Sequence, residues 1–350
     1  MNLAKHTFTG RDGIMTTIKD IAKHLHISTS TVSRAINGHP EISDKTKKMV
    51  MTAVEELGYI PNRFAQQLVG GGALTVGFTI PDINDSFFAK CAVGAEGVIC
   101  QRGHDIAYHS IQRNTARLCE FLVRAKELRY SSVIITPEYW DKALFQQIAR
   151  TQMPTVILRR KTPDGVSDIP YVDSDHYGGV RELCRHLIEL GHRHIAFITY
   201  DAIVLNERRQ GYEDAMLRGG LPEYVFECRR TTNSDQVIPL GYGGMQEVIK
   251  RYPQVTAVIG ANDMLAIGAM QALHEAGIRV PEEMSVAGFD NRAICDLYNI
   301  QLTTVEQPLR ELGCQAAEMA LRLAKDPADK PASVIMKTKL IVRHTTAQPR

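Results

Sequence analysis

Residues 28–37 read STSTVSRAIN. Ser28, Thr29, Ser30, Thr31 and Ser33 supply hydroxyls, Arg34 a guanidinium and Asn37 an amide, while Val32, Ala35 and Ile36 recur at helical spacing. A helix that had only to stay dissolved would carry Glu, Lys and Ala on its outer face. Short hydroxyls around one arginine suit another task. An arginine can fork onto the O6 and N7 of guanine, and hydroxyls can reach base edges or phosphates. The chemistry expected here is hydrogen-bonded recognition of DNA. Catalytic chemistry finds little support: the chain carries no P-loop and no G-x-S-x-G elbow. His192 and His194, in ELGHRHIAF, have no third metal ligand nearby in sequence, so neither a metal nor a cofactor is expected.

The elements around this stretch must hold its polar face outward. Ile18, Ile21, Ala22 and Leu25 follow helical spacing, with Thr17 as N-cap and Asp20 at the N3 position of a capping box. Residues 26–28 (HIS) read as a tight turn with Ser28 capping the second helix, and Asn37-Gly38 ends it. A third helix is expected from about Asp44 to Leu57, capped by Ser43, with Val50, Ala53, Val54 and Leu57 inside. Two short helices joined by a three- or four-residue turn and braced by a third form a helix-turn-helix, whose second helix enters the major groove. Thr29, Ser30 and Arg34 then make its outward face. Periodicity alone fits a plain three-helix bundle with a solvated face equally well. Residues 15–68 carry seven Lys/Arg against five Asp/Glu, a modestly basic balance for phosphate contact.

The chain as a whole has 350 residues, 44% hydrophobic and 23% charged, ordinary for a globular protein of more than one domain. No apolar run approaches the ~18 residues of a membrane span. The first residues, MNLAKHTFTGRDG, lack an apolar core and do not read as a signal peptide. Residues 1–14 are expected to be an extension, or Met15 the true start. Seven cysteines without a C-x-x-C pair suit free thiols in a reducing cytoplasm. A net charge of +2 means that any basic surface must be local.

The third helix is followed by GYIPNRFAQQLVGGGA, residues 58–73. TIKDIAKHLHISTSTVSRAIN together with LGYIPNRFAQQL resembles the DNA-binding head and hinge of the lactose-repressor (LacI/GalR) family of bacterial transcription regulators. The TVSRxxN core (Thr31, Val32, Ser33, Arg34, Asn37) and the GYxPNxxAxxL hinge both stand in place. The resemblance implies that the hinge, residues 61–72, becomes helical on operator DNA, with two hinges of a dimer entering the minor groove. Leu68 would be the wedge that opens a base step, Asn62 would cap the hinge helix, and Ala65 would let the two hinges approach. An apolar wedge offsets unstacking by gaining bent DNA and more contact. Gly70-Gly71-Gly72 departs from the pattern and makes an unusually flexible joint.

From Leu74 onward, short β-rich runs alternate with helical stretches: LTVGFTI (74–80), DIAYHSI (105–111), SSVIITP (131–137), PTVILR (154–159), HIAFITY (194–200), AVIGAN (257–262) and MSVAGFD (284–290). Such alternation implies α/β architecture with parallel sheets flanked by helices. The resemblance adds a two-lobed, doubly wound effector domain over 73–345, like periplasmic sugar-binding proteins, with three crossings between lobes. The expected lobes are about 73–170 with 301–330, and about 171–300 with 331–345.

Ligands bind between such lobes, at the carboxyl ends of the strands. The expected ligand contacts are Asp82, Asn84, Phe87 and Phe88 in PDINDSFF, Arg208 in ERRQGY, Asn262 in ANDMLAIGAM, Asp290 in VAGFDN and Gln307 in TTVEQP. Arg208, Asn262 and Asp290 match the family's R-x-x-G-[YW], xNDxxAxGxx and xxGfDd motifs. Capping or an ion pair between lobes is the structural alternative for each, and core packing for the two phenylalanines. Where many relatives carry a sugar-binding aspartate, this chain has Arg159, Arg160 and Lys161. Arg159 either turns to solvent or a neighbouring carboxylate, or points into the cleft and favours an acidic ligand such as a sugar acid or phosphosugar. The function implied is a cytoplasmic, dimeric repressor that binds a near-palindromic operator and answers to a small carbohydrate-type effector. The alternative is a sugar-binding protein without a DNA role.

Overall fold

The computed structural model describes residues 16–59, 73–137, 141–162, 169–201, 203–229 and 237–350. The chain divides into two compact units at Ala73/Leu74. In the first, α1 (Ile18–Leu25), α2 (Thr29–Ile36) and α3 (Asp44–Glu56) enclose a small core of Ile21, Ala22, Val32, Ala35, Val50 and Ala53. His26, in the left-handed region at φ 56°, ends α1 and turns the chain toward α2. The Asp20 carboxylate accepts from the Thr17 amide at 2.8 Å and its hydroxyl at 2.6 Å. Ser28 accepts the Thr31 amide at 3.0 Å and Ser43 the Thr46 amide at 3.2 Å, so each helix starts on a side chain that satisfies an otherwise open N–H.

The second unit holds β1 (Thr75–Ile80), α4 (Ser86–Gln101), β2 (Asp105–Ser110), α5 (Thr115–Glu127), β3 (Ser132–Ile135), α6 (Lys142–Thr151), β4 (Thr155–Leu158), β5 (Tyr171–Ser174) and α7 (His176–Glu189). These are followed by β6 (Ile195–Tyr200), α8 (Ile203–Gly219), β7 (Tyr224–Cys228), α9 (Val237–Arg251), β8 (Ala257–Gly260), α10 (Asp263–Glu275) and β9 (Ser285–Ala287). The last elements are β10 (Thr304–Glu306), α11 (Leu309–Lys325), β11 (Val334–Met336) and β12 (Lys339–Ile341). A parallel sheet runs in the order β11-β5-β4-β3-β1-β2, a second in the order β7-β6-β8-β9, and β10 and β12 form an antiparallel pair.

The first sheet explains its own apolar runs. Val76, Phe78, Ile134, Val156 and Leu158 pack on one face with residues of α4 and α11, such as Cys91, Ala95, Leu312 and Ala316. Val133, Ile135 and Ile157 pack on the other with Leu118, Leu122, Leu144 and Ile148 of α5 and α6. Both faces are buried, so the strands read as continuous rather than alternating. The helices α4 and α11 meet backbone to backbone. A Cβ at Gly94 would strike the Arg310 carbonyl, and one at Gly313 the Cys91 carbonyl. The second lobe has one core, with Phe197, Tyr212, Met245, Ile259 and Phe289 fully buried.

Three crossings join the lobes, at 175, at 307–308 and at 337–338. Their positions differ from the boundaries expected from sequence. β5 and β11 remain in the first sheet, with Val172 opposite Leu158 on one side and Val334 on the other, so 171–174 and 334–336 belong to the first lobe. Residues 301–306 stay with the second lobe, since Ala287 bridges Thr303 and Asp290 bridges Glu306. The reason is pairing: β5 completes its hydrogen bonds on β4 before the chain leaves the sheet.

Candidate functional site

In the first unit, Thr17, Ser28, Thr29, Ser30, Arg34 and Asn37 are exposed, while Thr31 and Ser33 are half-buried. The Ser28 hydroxyl is committed to the cap and to hydroxyl contacts with Ser30 and Thr31, at 2.7 and 2.8 Å. Thr29, Ser30 and Arg34 form the outer face of α2. Arg34 Nη1 lies 3.3 Å from Glu41 Oε2, with both side chains more than half exposed. Such a pair contributes little and is readily exchanged for a phosphate or a base edge. Asn62, Ala65 and Leu68 lie outside the described residues.

In the second unit, a cleft of about 410 Å³ lies where strands of both lobes end. Asp82, Asn84, Phe87 and Phe88 follow β1, Arg159 follows β4, Asn262 follows β8, Asp290 follows β9, and Arg208 reaches in from α8; all line the cleft. Gln307 does not. It sits behind Asp290, donating to Asp290 Oδ1 at 2.6 Å, because the chain recrosses to the first lobe at that point.

Arg208 is fully buried and stacked 3.8 Å over Phe289. Its Nη2 donates to Asp290 Oδ1 at 2.9 Å, its Nη1 to the Ala261 carbonyl at 2.6 Å and its Nε to His176 Nδ1 at 3.3 Å. Burial pulls the guanidinium below its ordinary pKa, and the Asp290 carboxylate opposes the pull. Asn262 spends its Oδ1 on capping α10 through the Leu265 amide, at 2.9 Å, and turns its Nδ2 toward Tyr200 Oη. Asp290 has φ 121°, a conformation rare for any residue but glycine, and is held there by Arg208, Gln307 and the bridge to Glu306.

Three residues that sequence reasoning passed over complete the wall. Asp85 caps α4 through the Phe87 amide at 3.1 Å and accepts from Arg292 Nη1 at 2.8 Å, Arg292 Nη2 at 3.2 Å and Arg113 Nη2 at 3.0 Å. Arg292 belongs to the second lobe, so this fork spans the cleft. Burial acts to raise the Asp85 carboxyl, but the Arg292 hydrogen bonds and charge outweigh it and hold it low. Phe87 and Phe88 are both core and platform: nearly buried, edge to face at 5.6 Å, they carry Arg159 at 4.3 and 5.1 Å. Arg292 stacks on Phe87 at 5.1 Å and Arg113 on Phe88 at 5.8 Å. The signals for Arg113 and Arg292 were present in sequence, since each lies within a few residues of a strand exit.

Behind the cleft, Asp263 is completely buried and accepts from Thr304 Oγ1 at 2.5 Å and the Arg292 amide at 2.8 Å. Burial, and then the neighbouring Asp290 charge, push its carboxyl up to about 7. His192 and His194 point to separate partners, the former to Thr256 and Ser285, the latter to the Tyr224 hydroxyl.

Comparison with known proteins matches residues 17–62 to the model "Bacterial regulatory proteins, lacI family" and residues 184–346 to "Periplasmic binding protein-like domain". The chain is 30% identical to the HTH-type transcriptional regulator DegA of Bacillus subtilis (strain 168), covering 95% of this chain and 98% of that one. It is 31% identical to the HTH-type transcriptional regulator GalR of Escherichia coli (strain K12), covering 96% and 97%. Among solved structures, the lac repressor dimer bound to operator and the anti-inducer ONPF superposes with a TM-score of 0.83 at 27% identity, covering 95% of this chain and 100% of that one. The CelR–cellobiose complex superposes at 0.70 and 28% identity, covering 94% and 99%.

Proposed function

This chain belongs to the lacI family of bacterial regulatory proteins, and we infer that it is a transcriptional repressor whose grip on a near-palindromic operator is set by a small carbohydrate-type molecule in the cleft. The observation that carries this reading is that one chain holds both an outward hydroxyl-and-arginine face on α2 and a cleft whose walls come from two lobes. Two copies present two α2 helices to half-sites related by the dimer's two-fold axis. Arg34 reads a base edge or a phosphate, Thr29 and Ser30 add short-range contacts, and Ser28 and Thr17 fix the helix starts. Asn62, Ala65 and Leu68 act in the hinge as cap, close-approach position and minor-groove wedge. In the cleft, Asp290, Arg208 and Asn262 recognise hydroxyls, with Asp82 and Asn84 on the opposite lip and Gln307 orienting Asp290.

A molecule that touches both lobes favours one lobe angle over another and so biases the DNA-bound state; two sites with differential contacts in two states are what allostery requires. Nothing in this scheme needs catalysis, and the relatives matched over nearly the whole chain are regulators rather than solute carriers or enzymes. No helix among the described residues is long and apolar enough to cross a membrane, consistent with action in the cytoplasm. The test is an electrophoretic shift of purified protein on a library of palindromic duplexes. Selection of one sequence family, lost in Arg34→Ala, supports the reading; uniform, salt-sensitive binding to every duplex refutes it.

A further inference from the structure

We propose that the cleft takes an anionic carbohydrate derivative, a sugar acid or sugar phosphate, whose acid group is held by Arg159. The inference rests on the cleft being the effector site and deepens it. Five guanidinium groups line the cleft, those of Arg113, Arg159, Arg160, Arg208 and Arg292, against three carboxylates, Asp82, Asp85 and Asp290. Asp82 lies 3.9 Å from Arg113 Nε, Asp85 is occupied by Arg292 and Arg113, and Asp290 by Arg208 and Gln307. Arg159 has no acid in direct contact: among the described residues its guanidinium makes no hydrogen bond and no ion pair, its Nε is buried, and the nearby Asp173 carboxylate, which its charge helps to hold low, is bonded to His176 instead. It is nonetheless held in place. Its backbone sits at φ 64° just past the end of β4, fixed by its amide donating to the Val172 carbonyl at 2.7 Å, and its plane rests on Phe87 and Phe88. A buried donor with no acceptor carries a desolvation cost that a bound carboxylate or phosphate removes. A neutral sugar would leave that guanidinium without a directly bonded acid. The planar fork, already oriented by two rings, suits bidentate capture of a carboxylate or phosphate. A cleft of about 410 Å³ lies in the range of small-ligand sites.

The test uses full-length protein and paired ligands: glucose, galactose, mannose and ribose, each against its aldonate, its uronate where one exists, and its terminal phosphate. Thermal unfolding and titration calorimetry are run on wild type, Arg159→Gln and Arg159→Lys. We expect at least one charged member to stabilise the protein while its neutral parent does not. Its affinity should fall tenfold or more in Arg159→Gln and by less in Arg159→Lys. Arg159→Gln gives up the stacking on Phe87 and Phe88 but no hydrogen bond, so ligand-free unfolding of each variant is recorded first and ligand shifts are read against it. Aldonates or uronates alone would identify a carboxylate, terminal phosphates alone a phosphate. A neutral parent that stabilises wild type and Arg159→Gln alike overturns the proposal, as does a charged set that leaves unfolding unmoved. Operator binding by the same preparations is scored separately: its loss in wild type overturns the regulator reading, not the ligand class.

Discussion

Asp85→Asn isolates the electrostatic link between the lobes. Asparagine caps a helix as well as aspartate, so the hydrogen bond to the Phe87 amide survives, and the side chain keeps its size. What disappears is the charge that accepts two hydrogen bonds from Arg292 and one from Arg113. The Asp85 side chain is 13% exposed and those of Arg292 and Arg113 24% and 23%, so the pairs are largely but not wholly desolvated. Removing one partner of a fully buried pair costs about 3–5 kcal/mol; with this residual exposure we expect about 2–3 kcal/mol. For a body of 277 residues, Leu74–Arg350, that is a fall in Tm of roughly 3–5 °C. The pH dependence follows from the depressed carboxyl. Its stabilisation is fully present above the unfolded value of 3.8 and is lost as pH falls through the lower folded value, so wild type and variant converge only in strong acid. Urea unfolding of wild type, Asp85→Asn, Arg292→Met and the double variant gives the coupling directly. A single-variant loss below about 0.5 kcal/mol, or additive single losses, would refute the bridge as an energetic link.

Arg34→Ala should cost about 1–3 kcal/mol of operator affinity while nonspecific binding falls only slightly, measured by competition against random duplex. Leu68→Ala should weaken specific binding and reduce operator bending, with nonspecific affinity unchanged; an unaltered operator affinity refutes the wedge assignment. Arg208→Met should destabilise the body by about 3–5 kcal/mol in urea unfolding, since it leaves Asp290 buried with Gln307 as its principal partner. Asp263, whose folded carboxyl titrates far above its unfolded value, contributes stability at low pH that is lost as pH rises from about 4 to 7. Asp263→Asn should therefore flatten the stability profile across that interval.

Much of the fold could be read from local pattern. The seven apolar runs anticipated from sequence became strands or strand ends; six are buried parallel strands, which advertise themselves by continuous branched residues, while β2 is a partly exposed edge strand. The strands that escaped notice are β5 (YVDS), β7 (YVFEC) and the three-residue β10, β11 and β12. They are short or polar, and what makes them strands is the neighbour they meet. Val172 is strand because Leu158 and Val334 flank it. The same limit governed the site. Asp82, Asn84, Phe87, Phe88, Arg159, Arg208, Asn262 and Asp290 stand at strand exits or in short motifs and line the cleft. Asp85 and Arg292 are 207 positions apart, and their partnership exists only once two lobes are folded. Gln307 shows the converse: its position was marked, but its role is to hold Asp290.

The buried polar groups behind the cleft tie Arg208 and Asp290 to the crossings. Arg208 Nε can only donate, so His176 Nδ1 must accept, which leaves His176 Nε2–H for Asp173 Oδ1 at 3.2 Å. Burial pushes the imidazole toward neutrality, in keeping with this tautomer. The run Asp173–His176–Arg208–Asp290–Gln307 therefore begins on β5 of the first lobe, passes the crossing at 175, traverses the second lobe and ends at the crossing at 307. Every member is buried, so each lost hydrogen bond would leave a desolvated group rather than one that water can satisfy. A rotation of the lobes cannot leave Arg208 and Asp290 untouched, because both are bonded to residues at or beside two of the three crossings. A ligand that binds these two side chains accordingly acts on the joints of the body as well as on its walls.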